Sequence, residues 1–420
     1  MIRTLLLLFT LWSFAFARAD VVIEKRGGGF VLLRNGEPYF VKGVGGQQHL
    51  SLAAESGANS TRTWGSERAL EVLDEAASLG MTATIGYWLD HGADSYLDEA
   101  YKSRVREEVS ALVAMTKDHP ALLIHALGNE INLGADTPEA WSFVEELAVL
   151  VKEADPGHPV MTVIAGSSPE TLDRVARFAP GLDLVGFNTY RGISGLPDSL
   201  AKSAYTGPYL VTEWGPYGHW EVGKTQWGAP LEQTSVEKSA TYRSAYQIIQ
   251  SDPLRGLGSY VFLWGQKQER TPTWYGVFVE KRTESGLGGE STPVVEVMAE
   301  VWSGKAVSNH APVVKAIEVG GKAAKEIVVK AGETFKARLP ATAPEGDALT
   351  HVWEVMVEAT QLGTGGSFEA RPDSFPAAIQ GREADSVAIT VERPGDYRLF
   401  GYVLDGKGRV GTANLPFQVR

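Results

Sequence analysis

Leu127-Gly128-Asn129-Glu130 and Leu210-Val211-Thr212-Glu213-Trp214 are two short segments in which an apolar, strand-like run leads into a glutamate. In a barrel of alternating strands and helices, the carboxyl ends of all the strands meet at one mouth. Residues that are far apart in the sequence can face each other there. The two segments therefore predict a barrel in which Glu130 and Glu213 lie in one shared site.

The sequence between these segments and around them alternates between extended apolar runs and amphipathic helical stretches. Eight extended runs occur, at residues 39–44, 58–63, 82–87, 122–127, 159–164, 183–187, 209–212 and 258–263. Helices are expected between them at 67–79, 101–117, 138–154 and 169–178. Such alternation is typical of a parallel sheet. Eight repeats predict an α/β fold, a closed (β/α)8 TIM barrel.

Shorter strand-like segments flank the predicted barrel on both sides. Residues 21–34 predict a hairpin that covers the lower end of the barrel, with Asn35-Gly36 as its turn. Beyond residue 308, about seven short strands separated by Gly, Pro and Asp turns predict an all-β sandwich of the immunoglobulin or PKD-like type. We therefore expect a signal peptide at 1–19, a barrel domain at 20–308 and a β-sandwich at 309–420.

Composition excludes several classes of partner and chemistry. The chain of 420 residues has a formal net charge of −12, which disfavours binding to nucleic acid or to an anionic lipid surface. It contains no cysteine, so disulfides, thiolate metal sites and a cysteine nucleophile are excluded. No spacing of histidines or acids suggests a metal, and no glycine-rich loop precedes a helix. We expect no cofactor.

The N-terminus has the pattern of a secretory signal. Arg3 gives a positive start, residues 5–16 are apolar, and Ala17-Arg18-Ala19 fits a small-x-small cleavage site. A membrane anchor is the alternative, but a dozen apolar residues fall short of the ~20 that span a bilayer, and no second apolar segment follows. The sequence therefore predicts a secreted or periplasmic protein without a membrane span.

The two glutamates suit the cleavage of a glycosidic bond. Glu130 would act as general acid if its surroundings raise its pKa towards neutrality, and Asn129 would bind the 2-hydroxyl of the sugar. Glu213 would attack the anomeric carbon. A separation of ~5–5.5 Å between the carboxyl groups would give retention through a covalent intermediate. For either residue alone, a surface carboxylate or a strand-end salt bridge is the alternative interpretation.

Residues 31–302 resemble the clan of retaining glycoside hydrolases whose barrels carry Asn-Glu after the fourth strand and a second Glu after the seventh. The stretch from Gly36 to Val44 is similar to the opening barrel strand of family 2 glycoside hydrolases and their single-domain bacterial relatives. The resemblance implies that Glu130 is the acid/base and Glu213 the nucleophile. It also implies that Arg62 supports the nucleophile, with a structural salt bridge as the alternative, and that Tyr190 donates a hydrogen bond to it, with core packing as the alternative.

Aromatic and polar residues near the strand ends are further candidates for sugar binding. Trp264, after the eighth strand, is expected to lie beneath the sugar at the cleavage point, because aromatic planes suit the C–H faces of a pyranose. Trp88, Trp214 and His91 are additional substrate-binding candidates. The alternative is core packing or loop anchoring for the two tryptophans and a structural or solvated side chain for His91. Residues 266–269 either line outer sugar subsites or form an ordinary polar loop.

Together these features predict a retaining β-glycoside hydrolase whose partner is a β-linked glycan, with a β-glucan favoured by the aromatic-rich loops after strands seven and eight. Two alternatives remain open at this point. The first is a glucan transglycosylase that uses the same two glutamates. The second is a non-catalytic glycan-binding barrel, against which the presence of both glutamates argues.

Overall fold

The computed structural model of the protein describes residues 18–363, 367–382 and 385–420. The predicted signal peptide lies outside the described residues except for Arg18 and Ala19. The first described strands, β1 (Val21–Arg26), β2 (Gly29–Arg34) and β3 (Glu37–Pro38), form an antiparallel sheet. The turn between β1 and β2 lies at Gly27-Gly28, whereas the predicted turn at Asn35-Gly36 joins β2 to β3.

Eight parallel strands close into a barrel, as the alternating pattern predicted. Each strand pairs with the next one in the chain, and the last pairs with the first. They are β4 (Val41–Gly45), β5 (Ser60–Arg62), β6 (Thr82–Tyr87), β7 (Leu122–Asn129), β8 (Val160–Ala165), β9 (Leu184–Asn188), β10 (Tyr209–Trp214) and β11 (Gly256–Val261). The N-terminal sheet covers the lower end, where Val21 and Leu32 pack against Val41, Met161 and Leu184.

Helices follow the barrel strands and pack around them. They are α1 (Leu50–Glu55), α2 (Ala69–Ser78), α3 (Glu99–Thr116), α4 (Pro138–Ala154), α5 (Pro169–Phe178), α6 (Leu196–Lys202), α7 (Ser235–Ile249) and α8 (Pro293–Ser303). Local sequence sets several starts: Thr137 caps α4 ahead of a first-turn proline, and Thr234 with Glu237 forms a capping box on α7. Within the described ranges, we find no helix with both the length and the apolar character needed to cross a bilayer.

Short strands follow the last barrel strand and build the C-terminal region. They are β12 (Lys281–Arg282), β13 (Leu287–Gly288), β14 (Val313–Val314), β15 (Glu318–Val319), β16 (Lys322–Ala323), β17 (Ile327–Val329), β18 (Thr334–Arg338), β19 (Ala341–Thr342), β20 (Thr350–Val357), β21 (Ile379–Arg382), β22 (Ser386–Thr390), β23 (Gly395–Leu404) and β24 (Val410–Val419).

Two sheets dominate this region and share one apolar core. A five-stranded antiparallel sheet has the order β16-β15-β18-β22-β21, and a four-stranded sheet has the order β17-β24-β23-β20, with β17 parallel to β24. Phe335 and Ile389 of the first sheet pack with Trp353, Leu399 and Phe417 of the second. The C-terminal antiparallel sheets predicted from the sequence are therefore present.

A buried ionic network joins the C-terminal sheets to the barrel. The side chain of Glu232 is 1% exposed and forms a salt bridge of 2.5 Å with Lys238. Its carboxylate also accepts hydrogen bonds from the hydroxyls of Thr271 (2.7 Å) and Thr273 (2.8 Å) and from Asn414 Nδ2 on β24 (2.6 Å). Because Thr271 and Thr273 lie on the loop after the last barrel strand and Asn414 lies on β24, the network fixes this loop against the C-terminal sheets.

Removing the Glu232 carboxylate is expected to destabilise the protein strongly. The Glu232→Ala variant leaves the ammonium of Lys238 buried without its partner, which typically costs about 3–5 kcal/mol of unfolding free energy. The double variant Glu232→Met/Lys238→Met, which removes both charges, should lose less than the single variant. Urea unfolding followed by tryptophan fluorescence measures both. A single variant that loses under about 1 kcal/mol would show that the network is not structural.

Candidate active site

A cavity of about 1020 Å³ opens at the carboxyl ends of the barrel strands, and both Glu130 and Glu213 line it. Glu213 is the fifth residue of β10. Glu130 follows β7 directly in a left-handed backbone conformation (φ 57°), with its N–H bonded to Val163 O at 2.9 Å. This turn directs the Glu130 side chain across the mouth rather than along the strand. The two motifs therefore meet in one site.

The carboxylate of Glu213 is buried and held by three donors. Its Oε1 accepts hydrogen bonds from Trp64 Nε1 (2.6 Å) and Arg62 Nη1 (3.2 Å), and its Oε2 accepts one from the Tyr190 hydroxyl (3.1 Å). Donors on both oxygens, one of them a guanidinium, fix the orientation of this carboxyl group in the cavity. Arg62 and Tyr190 lie at the supporting positions that the resemblance implied.

A hydrogen-bonded chain connects the two glutamates through a pair of asparagines. Arg62 Nη2 donates to Asn129 Oδ1 at 2.6 Å, and Asn188 Nδ2 lies 3.1 Å from the same oxygen and 3.0 Å from Glu130 Oε1. Thr212 fixes Asn188 by donating its hydroxyl proton to Oδ1 at 2.8 Å. The buried Arg62 thus orients both the nucleophile candidate and the amide beside the acid candidate.

The surroundings of Glu130 favour the protonated form of its carboxyl group. Burial, followed by the negative charge of Glu213, raises the pKa of Glu130 to about 7. Burial also raises the pKa of Tyr190 well above its usual value, so its hydroxyl keeps the proton that it donates to Glu213. A carboxyl group with a raised pKa beside a second carboxyl group that three donors orient is the combination that acid-assisted displacement needs.

Two of the predicted substrate-binding aromatics lie elsewhere, which corrects the prediction for them. Trp214 is fully buried and packs between Tyr242 and Tyr246 of α7, at ring distances of 5.4 and 6.0 Å. Successive strand residues point to opposite faces, so Glu213 faces the cavity and Trp214 faces the helices. Neither this indole nor that of Trp264 lines the cavity.

Trp264 is also fully buried and forms part of the layer between the barrel and its helices. Its indole N–H donates to His49 O at 3.2 Å, and its ring packs against Phe278 and Trp302. The last barrel strand ends at Val261, two residues before the predicted end. Phe262 consequently occupies the cavity wall where the sequence had suggested Trp264.

Trp88 and His91 do line the cavity, on the side of Glu130. Trp88 is 42% exposed and stacks on the His91 ring at 5.2 Å. A ring nitrogen of His91 lies 2.7 Å from the backbone oxygen of Asn129. These two residues are therefore available to a ligand that extends from the glutamates towards solvent.

Several lining residues were not among the sequence-based candidates for the site. They include Asn188, Phe262, Glu221, Arg270, Gly363 and Ser367. The position of Asn188 at the end of β9 was a visible signal. Gly363 and Ser367 come from the C-terminal region, and nothing in the local sequence indicates that they reach the barrel mouth.

One group with metal-binding side chains lies at the lower end of the barrel. His125, Asp155 and His158 place their ligand atoms within 4.8 Å of one another. Asp155 Oδ2 already lies at hydrogen-bond distance from both imidazoles (2.8 and 2.9 Å), and its Oδ1 pairs with Arg18. The hydrogen bonds account for the cluster as a structural link between β7 and the connection that follows α4.

Comparison with known proteins relates the chain to solved glycoside hydrolases. No protein-family model and no curated protein matches the sequence. Among solved structures, a GH2 β-galacturonidase from Eisenbergiella tayi bound to galacturonate is similar, with a TM-score of 0.54 and 17% identity over 69% of this chain and 54% of that one.

Two further solved structures show the same likeness. A β-D-glucuronidase from Dictyoglomus thermophilum has a TM-score of 0.52 and 18% identity over 67% of this chain and 53% of that one. A β-glucuronidase from Faecalibacterium prausnitzii has a TM-score of 0.53 and 20% identity over 68% and 52%. The chain thus spans about half the length of these proteins, and the likeness concerns the fold: the protein has the barrel fold of family 2 glycoside hydrolases, as its resemblance to them implied.

Proposed function

We propose that this protein is a retaining β-glycoside hydrolase that acts on a β-linked glycan. One observation carries the proposal: Glu130 and Glu213 line a single cavity, the first with a raised pKa and the second held by three hydrogen-bond donors. The reaction needs no metal or cofactor, because proton transfer and nucleophilic attack both come from side chains.

In the first step, the Glu213 carboxylate attacks the anomeric carbon of the sugar. The bond from that carbon to the glycosidic oxygen breaks as Glu130 donates its proton to this oxygen. The leaving sugar departs as an alcohol, and the remaining sugar is bound to Glu213 as an ester. Glu130 is now a carboxylate.

In the second step, Glu130 accepts a proton from a water molecule, whose oxygen attacks the anomeric carbon. The ester bond breaks, and Glu213 returns to its carboxylate form. Asn129 is oriented for the sugar 2-hydroxyl, because its Oδ1 is engaged by Arg62 and Asn188 and its Nδ2 has no partner among the described residues. Two inversions leave the product with the anomeric configuration of the substrate.

The size of the cavity and the names of similar proteins bear on the substrate. A volume of about 1020 Å³ is at the upper end of the ~300–1,000 Å³ that hold a drug-sized ligand, so there is room for more than one sugar ring. The similar structures are described as a β-galacturonidase and β-glucuronidases. The β-glucan favoured by the sequence is therefore one candidate beside glycans that contain uronic acids.

A panel of β-linked glycans tests the proposal. The purified protein is incubated with glucans, mannans, galactans and uronic-acid-containing glycans, and the released sugars are identified by chromatography. Proton NMR of the first product formed gives its anomeric configuration, which we expect to be β. Failure to cleave any member, or an α product, would contradict the proposal.

We also propose that the protein is secreted or periplasmic. Support comes from the charged start, the apolar stretch and the small-x-small site at residues 17–19. Expression in a bacterial host, followed by fractionation and N-terminal sequencing, should give a mature chain that begins at Asp20. An uncleaved chain retained in the cytoplasm would contradict this assignment.

The activity is expected to fall as the pH rises through about 7. Glu130 must carry a proton to assist departure of the leaving group, and its pKa is raised to about 7, so kcat/KM should fall about tenfold per pH unit above that value. Rate measurements between pH 5 and 9 on an unactivated glycan test this. The Glu130→Gln variant, assayed for its residual activity on the same glycan, should lack this alkaline limb. A wild-type profile that stays flat to pH 9 would rule out Glu130 as the acid.

A further inference from the structure

One wall of the cavity is built jointly by the loop after the last barrel strand and by the C-terminal region. Lys267, Glu269 and Arg270 come from the barrel loop, and Gly363 and Ser367 from the C-terminal region. We propose that this wall is a subsite for an oxyanion on the substrate, a sugar carboxylate or a sulfate ester, with Arg270 as its binding residue. The inference rests on the proposed function and specifies its substrate.

Arg270 is held at the tip of a tight turn. Glu269 and Thr271 on either side exchange backbone hydrogen bonds of 3.2 and 2.7 Å, and Arg270 between them has a left-handed backbone (φ 61°). Thr271 is in turn bonded to the buried Glu232. This conformation is uncommon for an arginine and persists only where its surroundings fix it.

Glu369 of the C-terminal region helps to hold the backbone of Arg270 in this conformation. Its carboxylate is buried, with 3% of the residue exposed, and accepts the N–H of Arg270 at 2.7 Å and the N–H of Gly363 at 2.9 Å. One carboxylate therefore ties both halves of the wall together. Glu369 is a positioning residue: it sets where Arg270 stands without facing the ligand itself.

The charges in the cavity leave Arg270 without a counter-ion. Glu213 is paired with Arg62, and Glu269 forms a salt bridge of 2.7 Å with Lys267. Glu221 accepts the backbone N–H groups of three residues, Arg191, Gly192 and Gly218.

The Arg270 guanidinium, by contrast, forms no salt bridge or hydrogen bond with any of the described residues, and its Nε is buried without a partner. A planar, unpaired guanidinium matches the paired oxygens of a carboxylate or a sulfate.

The neighbours of Arg270 place it beside the catalytic pair. Burial and then the charge of Arg270 lower the pKa of His219 to about 4, so this imidazole is neutral at pH 7 and adds no second cation. Burial raises the pKa of Tyr275, and the positive charge of Arg270 opposes that rise. The Tyr275 ring packs against the ring of Tyr190 at 5.7 Å between centroids, and Tyr190 donates a hydrogen bond to Glu213. Two aromatic rings, those of Tyr275 and Tyr190, therefore connect the surroundings of Arg270 to Glu213.

Calorimetric binding to the full-length Glu213→Gln variant tests the subsite without turnover. Three probes are compared: a β-linked disaccharide with a terminal uronic acid, its neutral counterpart with CH₂OH in place of the carboxylate, and its 6-sulfated counterpart. We expect at least one anionic probe to bind about tenfold or more tightly than the neutral one at low salt. The advantage should shrink as the salt concentration rises. The anionic probe that binds more tightly shows whether the subsite takes a sugar carboxylate or a sulfate ester.

Substitutions in this wall of the cavity test whether Arg270 causes the preference for anionic probes. Arg270→Asn, chosen because asparagine tolerates a left-handed backbone, should reduce the anionic-to-neutral affinity ratio to about one, while Arg270→Lys should keep part of it. Glu369→Ala should lower the same ratio through misplacement of Arg270. Arg177→Gln, an exposed arginine on α5, is the control and should leave the ratio unchanged.

The possible failures are distinguishable. Two results would overturn the proposed subsite and leave the glycosidase proposal standing. The first is equal binding of neutral and anionic probes by the Glu213→Gln variant, and the second is an added Arg270→Asn substitution that keeps the preference for the anion. Absence of binding of every probe, together with no cleavage of any β-glycan by the wild-type protein, would overturn both. The salt dependence is measured on the Glu213→Gln variant without further substitutions. The test therefore does not require that the variants at Arg270 or Glu369 fold.

Discussion

Replacing Glu213 by glutamine is expected to reduce kcat on every β-glycan substrate by on the order of 10⁴-fold or more. The amide is nearly the same size and can still accept hydrogen bonds, but it cannot form the glycosyl ester. The three donors around Glu213 are placed to hold a negative charge, so the substitution removes the reacting group and leaves its surroundings in place. Steady-state rates of wild-type and variant enzyme measure the loss.

The same variant gives a second, independent signal. Removal of the Glu213 charge takes away one of the causes that raise the pKa of Glu130, so that pKa should fall from about 7. Carboxyl titration by carbon-13 NMR of labelled protein reports it directly. Glu139→Gln, at an exposed position on α4, serves as control for the rates. Activity within threefold of wild type for Glu213→Gln would show that another residue is the nucleophile.

The barrel and the positions of both glutamates were predictable because they depend on local sequence. Strand-like runs alternate with helical ones, and a residue at the carboxyl end of a barrel strand faces the mouth whatever its distant neighbours are. The position of Trp214 was predictable by the same rule: a residue adjacent to Glu213 on one strand must point the other way.

Other features of the site depend on contacts that no local pattern encodes. Arg270 and Glu369 are 99 positions apart, and they meet only because the C-terminal sheets dock beside the loop after the last barrel strand. The absence of a counter-ion for Arg270 is likewise a property of the assembled cavity. The prediction for Trp264 was wrong because the end of a strand is located from sequence only to within a few residues. The last barrel strand, β11, ends at Val261 rather than at residue 263.

Replacing Glu130 by glutamine is expected to have an effect that depends on the leaving group. On an unactivated glycan, departure of the sugar alcohol needs the proton that Glu130 supplies, so kcat/KM should fall by about 10²–10⁴-fold. A nitrophenolate leaves without protonation. For a nitrophenyl glycoside, kcat/KM, which reports the steps up to formation of the glycosyl ester, should therefore change by less than about tenfold.

The second reaction step, hydrolysis of the glycosyl ester, separates the effect on kcat from the effect on kcat/KM. Hydrolysis of the ester needs Glu130 as a base, so in the Glu130→Gln variant kcat on the nitrophenyl glycoside should fall while kcat/KM is kept, and KM should fall with it. Rapid mixing should show a burst of nitrophenol equal to the enzyme concentration, with a matching mass increase on the protein. If instead kcat/KM falls equally for both substrates and no burst appears, Glu130 shapes the cavity without transferring a proton. The raised pKa of Glu130 favours the first result, because burial and the charge of Glu213 favour a protonated carboxyl group in the same cavity as the nucleophile. The hydrogen bond from Asn188 Nδ2 orients that carboxyl group.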